Sequence, residues 1–382
     1  GHRLSAAYSL SKILWIKDNQ PKIFASTHKF MCAKDAMIAR LTGAFVTEPS
    51  DASGTNAYNL EAGNWSEEIL HAAGLDRTLL PDVKRSIDVA GEITPTASEE
   101  VGLPVGTHVV LGGGDGACAA IGAGSIKKGM AYSYVGSSAW VATASATPIL
   151  DPEQRTFTFG HIVPGLYMPT GTMQTAGAAY QWMRDQLSPL EKQSAEALGI
   201  SPYVLMNAIA EGSPAGSNNL LFLPYLAGER SPRWNPNARA AFIGLTMRHT
   251  RADMIRAVME GVALNLAVVV EAFHNQGETF DSIRAIGGGI SGRVWAGIMA
   301  DIYNVPMERL NIPEQATSMG AAVTGGVGVG LYPDFSIALK MNAISDTIDP
   351  NPANRGIYEK AYQAFEASYT ALEPIFDLLA DE

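Results

Sequence analysis

At roughly 150 residues per domain, a chain of 382 residues predicts two to three domains, and 47% hydrophobic residues provide a large core and exclude wholesale disorder. Acidic residues (38) outnumber basic ones (27) for a net charge of −11, which excludes a general nucleic-acid binder. It does not exclude a small phosphate ligand, which backbone amides can hold.

In chain order, apolar spacing predicts a helix over 5–19. A second helix, 34–41, is stopped by Thr42-Gly43, and a third, 65–73, has Ser66 as cap and Gly74 as stop. A β-rich run at 107–111 enters Gly112-Gly113-Gly114-Asp115, followed by a small-residue helix over 117–123. Residues 131–135 and 139–143 read as strands of a hairpin with Gly136-Ser137-Ser138 at its tip. Further strands are predicted at 156–159, 166–169, 220–224 and 283–286. Helices are predicted at 177–186, 251–273, 292–303, 319–328 and 358–379, and a polar loop spans 228–239. The chain changes character near 124–129, so it reads as α/β with two lobes. The runs around Asp115 and Gly288 look like equivalent strand–glycine–helix units.

The 38 glycines follow no fixed period and cluster between apolar segments, as tight turns against a ligand do. Two cysteines, Cys32 and Cys118, make no disulfide framework, so a reducing, cytoplasmic setting is the default. No segment reads as a signal peptide or membrane span: the apolar stretch 257–273 is short and carries Glu260, Asn265 and Glu271, so it reads as a buried helix. The seven histidines are scattered. With no Cys pairs and no H-E-x-x-H, no protein-held zinc is expected. His161 and His249 read as ordinary partly buried residues, and Cys118 as packing.

Four segments can carry chemistry. In Val110-Leu111-Gly112-Gly113-Gly114-Asp115-Gly116-Ala117, Asp115 is either a general base for a substrate hydroxyl or a helix N-cap. Gly136-Ser137-Ser138 either cradles a phosphate with free amides or is an ordinary hairpin tip. Ala285-Ile286-Gly287-Gly288-Gly289-Ile290-Ser291-Gly292 lacks G-x-G-x-x-G spacing but offers a flat glycine surface to an adenine ring. Gly228-Glu229-Arg230-Ser231-Pro232-Arg233-Trp234-Asn235-Pro236 is a stiff loop that either binds substrate or is a surface loop whose arginines bond to backbone carbonyls. The second reading is slightly favoured there. No P-loop and no G-x-S-x-G elbow is present.

Taken together, these segments resemble the FGGY family of carbohydrate kinases, most closely its xylulose kinase branch. Lys12-Ile-Leu-Trp15-Ile-Lys-Asp18-Asn19 is similar to the first family signature. Lys34-Asp35, Leu41-Thr42-Gly43 and Asp51-Ala-Ser-Gly-Thr55 are similar to the stretch after it. Ala240-Ala-Phe242-Ile-Gly244-Leu245, with Asp253-Met254 and Ala257-Val-Met-Glu260, fits the second signature. Gly228-Glu-Arg-Ser-Pro232 resembles the G-E-R-[ST]-P loop of xylulose and gluconate kinases. Gly287-Gly-Gly289, with Trp295 and Ala300-Asp301, resembles the adenosine segment. The resemblance spans about residues 1–330.

The resemblance implies a two-lobed, actin-like (ribonuclease-H-like) α/β fold with a central cleft. Residues 1–125 would form a partial sugar-side domain and 126–382 the nucleotide-side domain. It implies transfer of the γ-phosphoryl group of ATP to a sugar hydroxyl, D-xylulose first, with gluconate or another sugar as the alternative. Asp115 would be the catalytic base. Gly136, Ser137, Ser138, Gly177, Gln181, Gly287, Gly288 and Gly289 would contact ATP. Mg2+ would come with ATP, near Asp115, rather than be held by the protein alone. The family's D-x-G-T hairpin has no counterpart before Lys12, so the first lobe reads as incomplete and this chain as a poor catalyst. A non-catalytic nucleotide-binding module is the alternative from another class. Gly116 follows the base where xylulose kinases often have Asn, a pattern closer to gluconate kinases. Sugar and ATP are the expected partners, with no nucleic acid and no membrane. The amphipathic C-terminal helix packs either on its own lobe, the first expectation, or on a twin in a homodimer.

Overall fold

The computed structural model describes residues 2–290 and 292–380. It divides into two compact units: Gly1–Met130, Thr143–Thr170 and Gln315–Ala343 form one, and Ala131–Ala142, Gly171–Glu314 and Ile344–Glu382 the other. The units interleave along the chain, so each takes its core from distant segments.

In the first unit, apolar residues at helical spacing form Ser9–Asn19, whose Leu10 and Ile13 pack with Trp65, Leu70 and Leu75. This helix starts at Ser9 rather than Ser5. Ala33–Thr42 ends on Gly43 at φ 77°, the left-handed geometry a glycine stop supplies. Glu67–Ala73 is capped by the Ser66 side chain and ends on Gly74, while Trp65 belongs to a short strand pair before it. His108–Val110 pairs antiparallel with Val89–Glu92. The helix Asp115–Gly122 then packs on Ala316–Gly328 from the far end of the chain. Their small residues let backbones touch: a Cβ at Gly122 would overlap the Ala316 carbonyl oxygen, and one at Gly320 the Cys118 carbonyl oxygen.

His161 is buried in this unit. Its Nδ1 accepts the Val163 amide (2.9 Å), and its other ring nitrogen lies 3.0 Å from the Ser125 carbonyl, which fixes a neutral tautomer. Burial pushes the imidazole down from its ordinary 6.5 to about 4. A depressed folded value stabilises above pH 6.5, and that contribution is lost as the pH falls through 4. The shift corresponds to roughly 3 kcal/mol. His161→Gln, which keeps a donor and an acceptor, is therefore expected to flatten the loss of stability between pH 6.5 and 4 in denaturant titrations. Parallel pH profiles of the two proteins would contradict this.

In the second unit, strands lie in the order Ile344–Ile348, Met307–Leu310, Ile283–Ile286, Ala131–Val135, Ala139–Thr143. Ile283–Ile286 runs parallel to both neighbours, with Ile283 beside Ala131 and Met307. Three of its four residues are apolar and buried, as suits a central parallel strand, and Arg284 pairs with Glu308 on the neighbouring strand. The two glycine units are thus not equivalent in sheet context, since His108–Val110 sits in a two-stranded antiparallel pair.

Arg251–Asn275 starts at a capping box between Thr250 and Asp253. It is buried around most of its circumference, as its near-continuous apolar sequence requires. Its polar interruptions are all bonded. Glu260 accepts from Arg256 (2.8 Å), Gly216 N and Ser217 Oγ, and Asn265 bonds Tyr225 and Glu229. The terminal helix Arg355–Leu378 buries Phe365, Tyr369 and Phe376 against Leu223, Tyr225 and Leu264, so it packs on its own unit. Among the described residues no helix is long and apolar enough to cross a membrane.

Candidate functional site

In the first unit the glycine run after His108–Val110 turns into the helix Asp115–Gly122. Asp115 is not the N-cap: Gly114 is, at φ −61° and ψ 164°, and Asp115 is the first helical residue. It is exposed, and its Oδ1 accepts the Gly116 amide at 2.7 Å. Residues 117–122 behind it are all buried, so an exposed carboxylate stands on a rigid helix start.

The turn is held from several sides. Gly112 N donates to Ser86 O (2.8 Å), and Gly114 N donates to Ser50 Oγ (2.9 Å). A Cβ at Gly113 would come within 2.6 Å of Ile162 Cδ1. Cys118 Sγ lies 3.3 Å from Gly113 O, and burial pushes its thiol up to about 12, so it serves packing and is no nucleophile. Ser86 and Ile162 also line a cleft of about 510 Å³ with Tyr58, Lys84 and Tyr167.

Beneath the turn sits a carboxylate cluster. Lys34 Nζ lies 2.6 Å from Asp35, 3.3 Å from Asp51 and 3.8 Å from Glu48. Burial raises the Asp51 carboxyl to about 6. Among the described residues, Cys32, Asp35 and Asp51 bring ligating atoms within 4.8 Å of one another. The Lys34 ammonium already serves as the cation there, and burial pushes the Cys32 thiol up to about 12, against thiolate ligation.

In the second unit two glycine segments close on the hairpin arm around Val135 and Gly136. Gly287, at φ 93°, is so close that a Cβ would lie 2.5 Å from Val135 O, and one at Gly289 would lie 2.6 Å from Val135 Cγ1. Gly288 between them is exposed, and among the described residues a Cβ there would meet Glu314 Oε1 at 3.9 Å. The run thus presents an open glycine face. Ser291 lies outside the described residues.

Directly after Val135, the hairpin tip is closed by Gly136 N donating to Ser138 O (2.9 Å). The Gly136 amide is therefore occupied rather than free. Ser137 O accepts Ala176 N (2.9 Å) and Ala178 N (3.1 Å), while Gly177 N donates to Gly136 O (2.8 Å). A Cβ at Gly177 would overlap that same oxygen, so glycine is required for the approach. Ser137 stays exposed at the tip, and Gln181 is exposed on the helix Gly177–Trp182. The structure thus brings together Gly136, Ser137, Ser138, Gly177 and Gly287–Gly289 from three separate stretches of the chain.

The polar loop braces this group. Glu229, buried, accepts Gln174 N (2.7 Å), Arg230 N (2.9 Å) and Asn265 Nδ2 (3.1 Å), and burial raises its carboxyl to about 7. Ser231 Oγ accepts Thr172 N (3.3 Å). The loop thereby fixes the strand leading to Gly177. Arg239 does bond to backbone carbonyls, at Asn237 and Ala238. Arg233 differs: it pairs with Glu366 and lies 4.4 Å over the Tyr369 ring. Sequence reasoning missed Glu48, Ser50 and Ser86 as supports of the Asp115 turn. The signal available for the first two was Glu48-Pro49, an acceptor followed by a proline at the first helical position.

The model of the FGGY family of carbohydrate kinases, C-terminal domain, matches residues 131–329, and that of its N-terminal domain matches residues 1–122. A xylulose kinase of Staphylococcus epidermidis is 33% identical over 363 residues, covering 95% of this chain and 71% of that relative. A gluconokinase of Bacillus subtilis is 32% identical over 373 residues, covering 96% and 69%. The crystal structure of ligand-bound xylulose kinase from Lactobacillus acidophilus superposes with a TM-score of 0.89 at 28% identity, covering 98% of this chain and 74% of the other.

Proposed function

The chain belongs to the FGGY family of carbohydrate kinases, and we propose from that premise that it transfers the γ-phosphoryl group of ATP to D-xylulose, giving D-xylulose 5-phosphate. It is a sugar kinase with the actin-like two-domain α/β fold of that family. The observation that carries the nucleotide half of the reading is the close approach of two glycine segments to one hairpin arm, Gly287–Gly289 against Val135 and Gly177 against Gly136. The exposed Gly288 would face the adenine ring, and the exposed Ser137 hydroxyl at the hairpin tip would face phosphate oxygens. Residues 126–382 would hold the nucleotide and residues 1–125 the sugar.

Asp115 is the proposed base. The sugar hydroxyl oxygen bonds to the γ-phosphorus, the bond from that phosphorus to the β–γ bridging oxygen breaks, and ADP leaves. The hydroxyl proton passes to the Asp115 carboxylate, which is exposed and lies at a fixed helix start. Mg2+ bound with ATP would neutralise charge on the phosphate oxygens. The exposed Asp115 carboxylate is a suitable hard oxygen donor beside it, and the ion needs few protein ligands. The residues of this chain position and orient, which is most of what phosphoryl transfer asks of a protein.

Gluconate is the second reading, favoured by the Asp115-Gly116 pair and by the gluconokinase relative. A coupled ADP-release assay with D-xylulose, D-ribulose and D-gluconate tests the choice. D-Xylulose is expected to give the highest kcat/KM. A higher value with D-gluconate replaces the first reading by the second. ATP binding by calorimetry without transfer to any of the three overturns both in favour of a nucleotide-binding module.

A further inference from the structure

We propose that Glu48 and Ser50 are positioning residues for the base: the buried carboxylate aims the Ser50 hydroxyl, and that hydroxyl holds the amide of Gly114, one residue before Asp115. This rests on the reading of Asp115 as the base.

Glu48 is 0% exposed and caps the short helix Pro49–Ser53. Its Oε1 accepts Ser50 Oγ (2.6 Å) and Asp51 N (2.9 Å), and its Oε2 accepts Ser50 N (2.9 Å) and Ser86 Oγ (2.7 Å). An ionised carboxylate has about four lone-pair sites and no proton to give. Here four donors take them. The Ser50 hydroxyl must therefore spend its hydrogen on Glu48, which leaves its oxygen lone pairs for an outside donor. That donor is Gly114 N, at 2.9 Å.

A second strut runs parallel to the first. Ser86 donates its hydroxyl to Glu48, and its carbonyl accepts Gly112 N (2.8 Å). Both ends of the Gly112–Gly114 turn are thus one serine away from the same carboxylate. The turn is also closely flanked, because a Cβ at Gly113 would come within 2.6 Å of Ile162 Cδ1 and one at Gly114 within 3.1 Å of Asp51 Oδ1.

Burying a carboxylate is expensive unless it is fully bonded and balanced. A cap alone would not require it, since Ser, Thr or Asp caps a helix with a shorter side chain. Glutamate has the extra methylene that reaches both serines. Lys34, 3.8 Å away, offsets part of the charge. The arrangement makes sense as a device that converts one buried charge into a fixed backbone turn, and so into a fixed position for the group that follows it. Reaction rate is sensitive to such placement, because a shift of about 1 Å in a reacting group costs on the order of a hundredfold.

The test uses Ser50→Ala, Glu48→Gln, Asp115→Asn and the Ser50→Ala/Asp115→Asn pair in the full chain, with ATP and D-xylulose as substrates. Ser50→Ala is expected to lower kcat about a hundredfold with both KM values little changed. On top of Asp115→Asn it is expected to cost nothing further, because a support has no effect once the supported group is gone. Hydrogen exchange at the Gly114 amide is expected to speed up in Ser50→Ala and Glu48→Gln. Should Glu48→Gln fail to fold, Ser50→Ala still decides. Wild-type kcat in Ser50→Ala, losses that multiply in the pair, or unchanged Gly114 exchange would each overturn the proposal. If instead Asp115→Asn itself keeps full activity, the reading of the base fails, and the positioning role falls with it.

Discussion

Asp115→Asn is expected to lower phosphoryl transfer about a thousandfold, the middle of the range that general acid–base catalysis supplies. ATP binding is expected to be unchanged. The carboxamide matches the carboxylate in size but accepts no proton from a sugar hydroxyl. The exposed position of Asp115 leaves the fold indifferent to the change: its contact with the Gly116 amide is local, and the buried face of its helix begins at Ala117. Initial rates of ADP release and a calorimetric ATP titration, run on the same preparations, separate the two properties. Transfer within about tenfold of wild type would remove Asp115 from the chemistry. A parallel loss of ATP binding would mean that the substitution acts through structure.

Gly320→Ala is expected to destabilise the protein by about 3 kcal/mol, the upper part of the range for overpacking. The added methyl would overlap the Cys118 carbonyl oxygen, and a peptide oxygen inside a helix cannot rotate away as a side chain can. Gly122→Ala meets the Ala316 carbonyl in the same way across the same contact. Either change must push Asp115–Gly122 and Ala316–Gly328 apart and open space around Ala117, Ala120 and Val323, all buried. The double substitution is expected to cost less than the sum, because once the helices have separated the second methyl has room. Thermal melts followed by circular dichroism check both points, and a midpoint unchanged within about a degree in Gly320→Ala would refute the first.

Much of this architecture is legible in sequence because local chemistry and tertiary packing agree. Ala131–Val135, Ala139–Thr143 and Ile283–Ile286 have the boundaries that their apolar runs and flanking glycines indicate. Gly43 and Gly74 stop their helices in left-handed geometry, as their positions suggest. Helices that escape apolar periodicity share another mark. Pro21–Ser26, Pro49–Ser53, Pro95–Val101 and Pro202–Glu211 each carry proline at the first position, where its missing N–H costs nothing. The predicted helix 177–186 instead passes at Met183 into a wider π turn before Pro189 restarts the coil. The strands Met307–Leu310 (Met-Glu-Arg-Leu) and Ile344–Ile348 (Ile-Ser-Asp-Thr-Ile) have apolar residues only at their ends, with no alternation over four or five positions to mark a strand. The glycine motifs mark the candidate site well, because a backbone that must approach another backbone tolerates little else. The Glu48 relay was beyond reach, since it joins residues 48, 50, 86 and 114, whose proximity exists only after folding.

The contact between Asp115–Gly122 and Ala316–Gly328 also sets a schedule for biosynthesis. Some 200 residues separate the two helices. At ribosomal speeds of roughly 5–20 residues per second, the second helix emerges about 10–40 s after the first. During that interval the small-residue face of Asp115–Gly122, buried in the finished protein, has no cover from its partner. The nascent chain is thus most exposed to aggregation and to chaperone capture before Ala316–Gly328 leaves the ribosome.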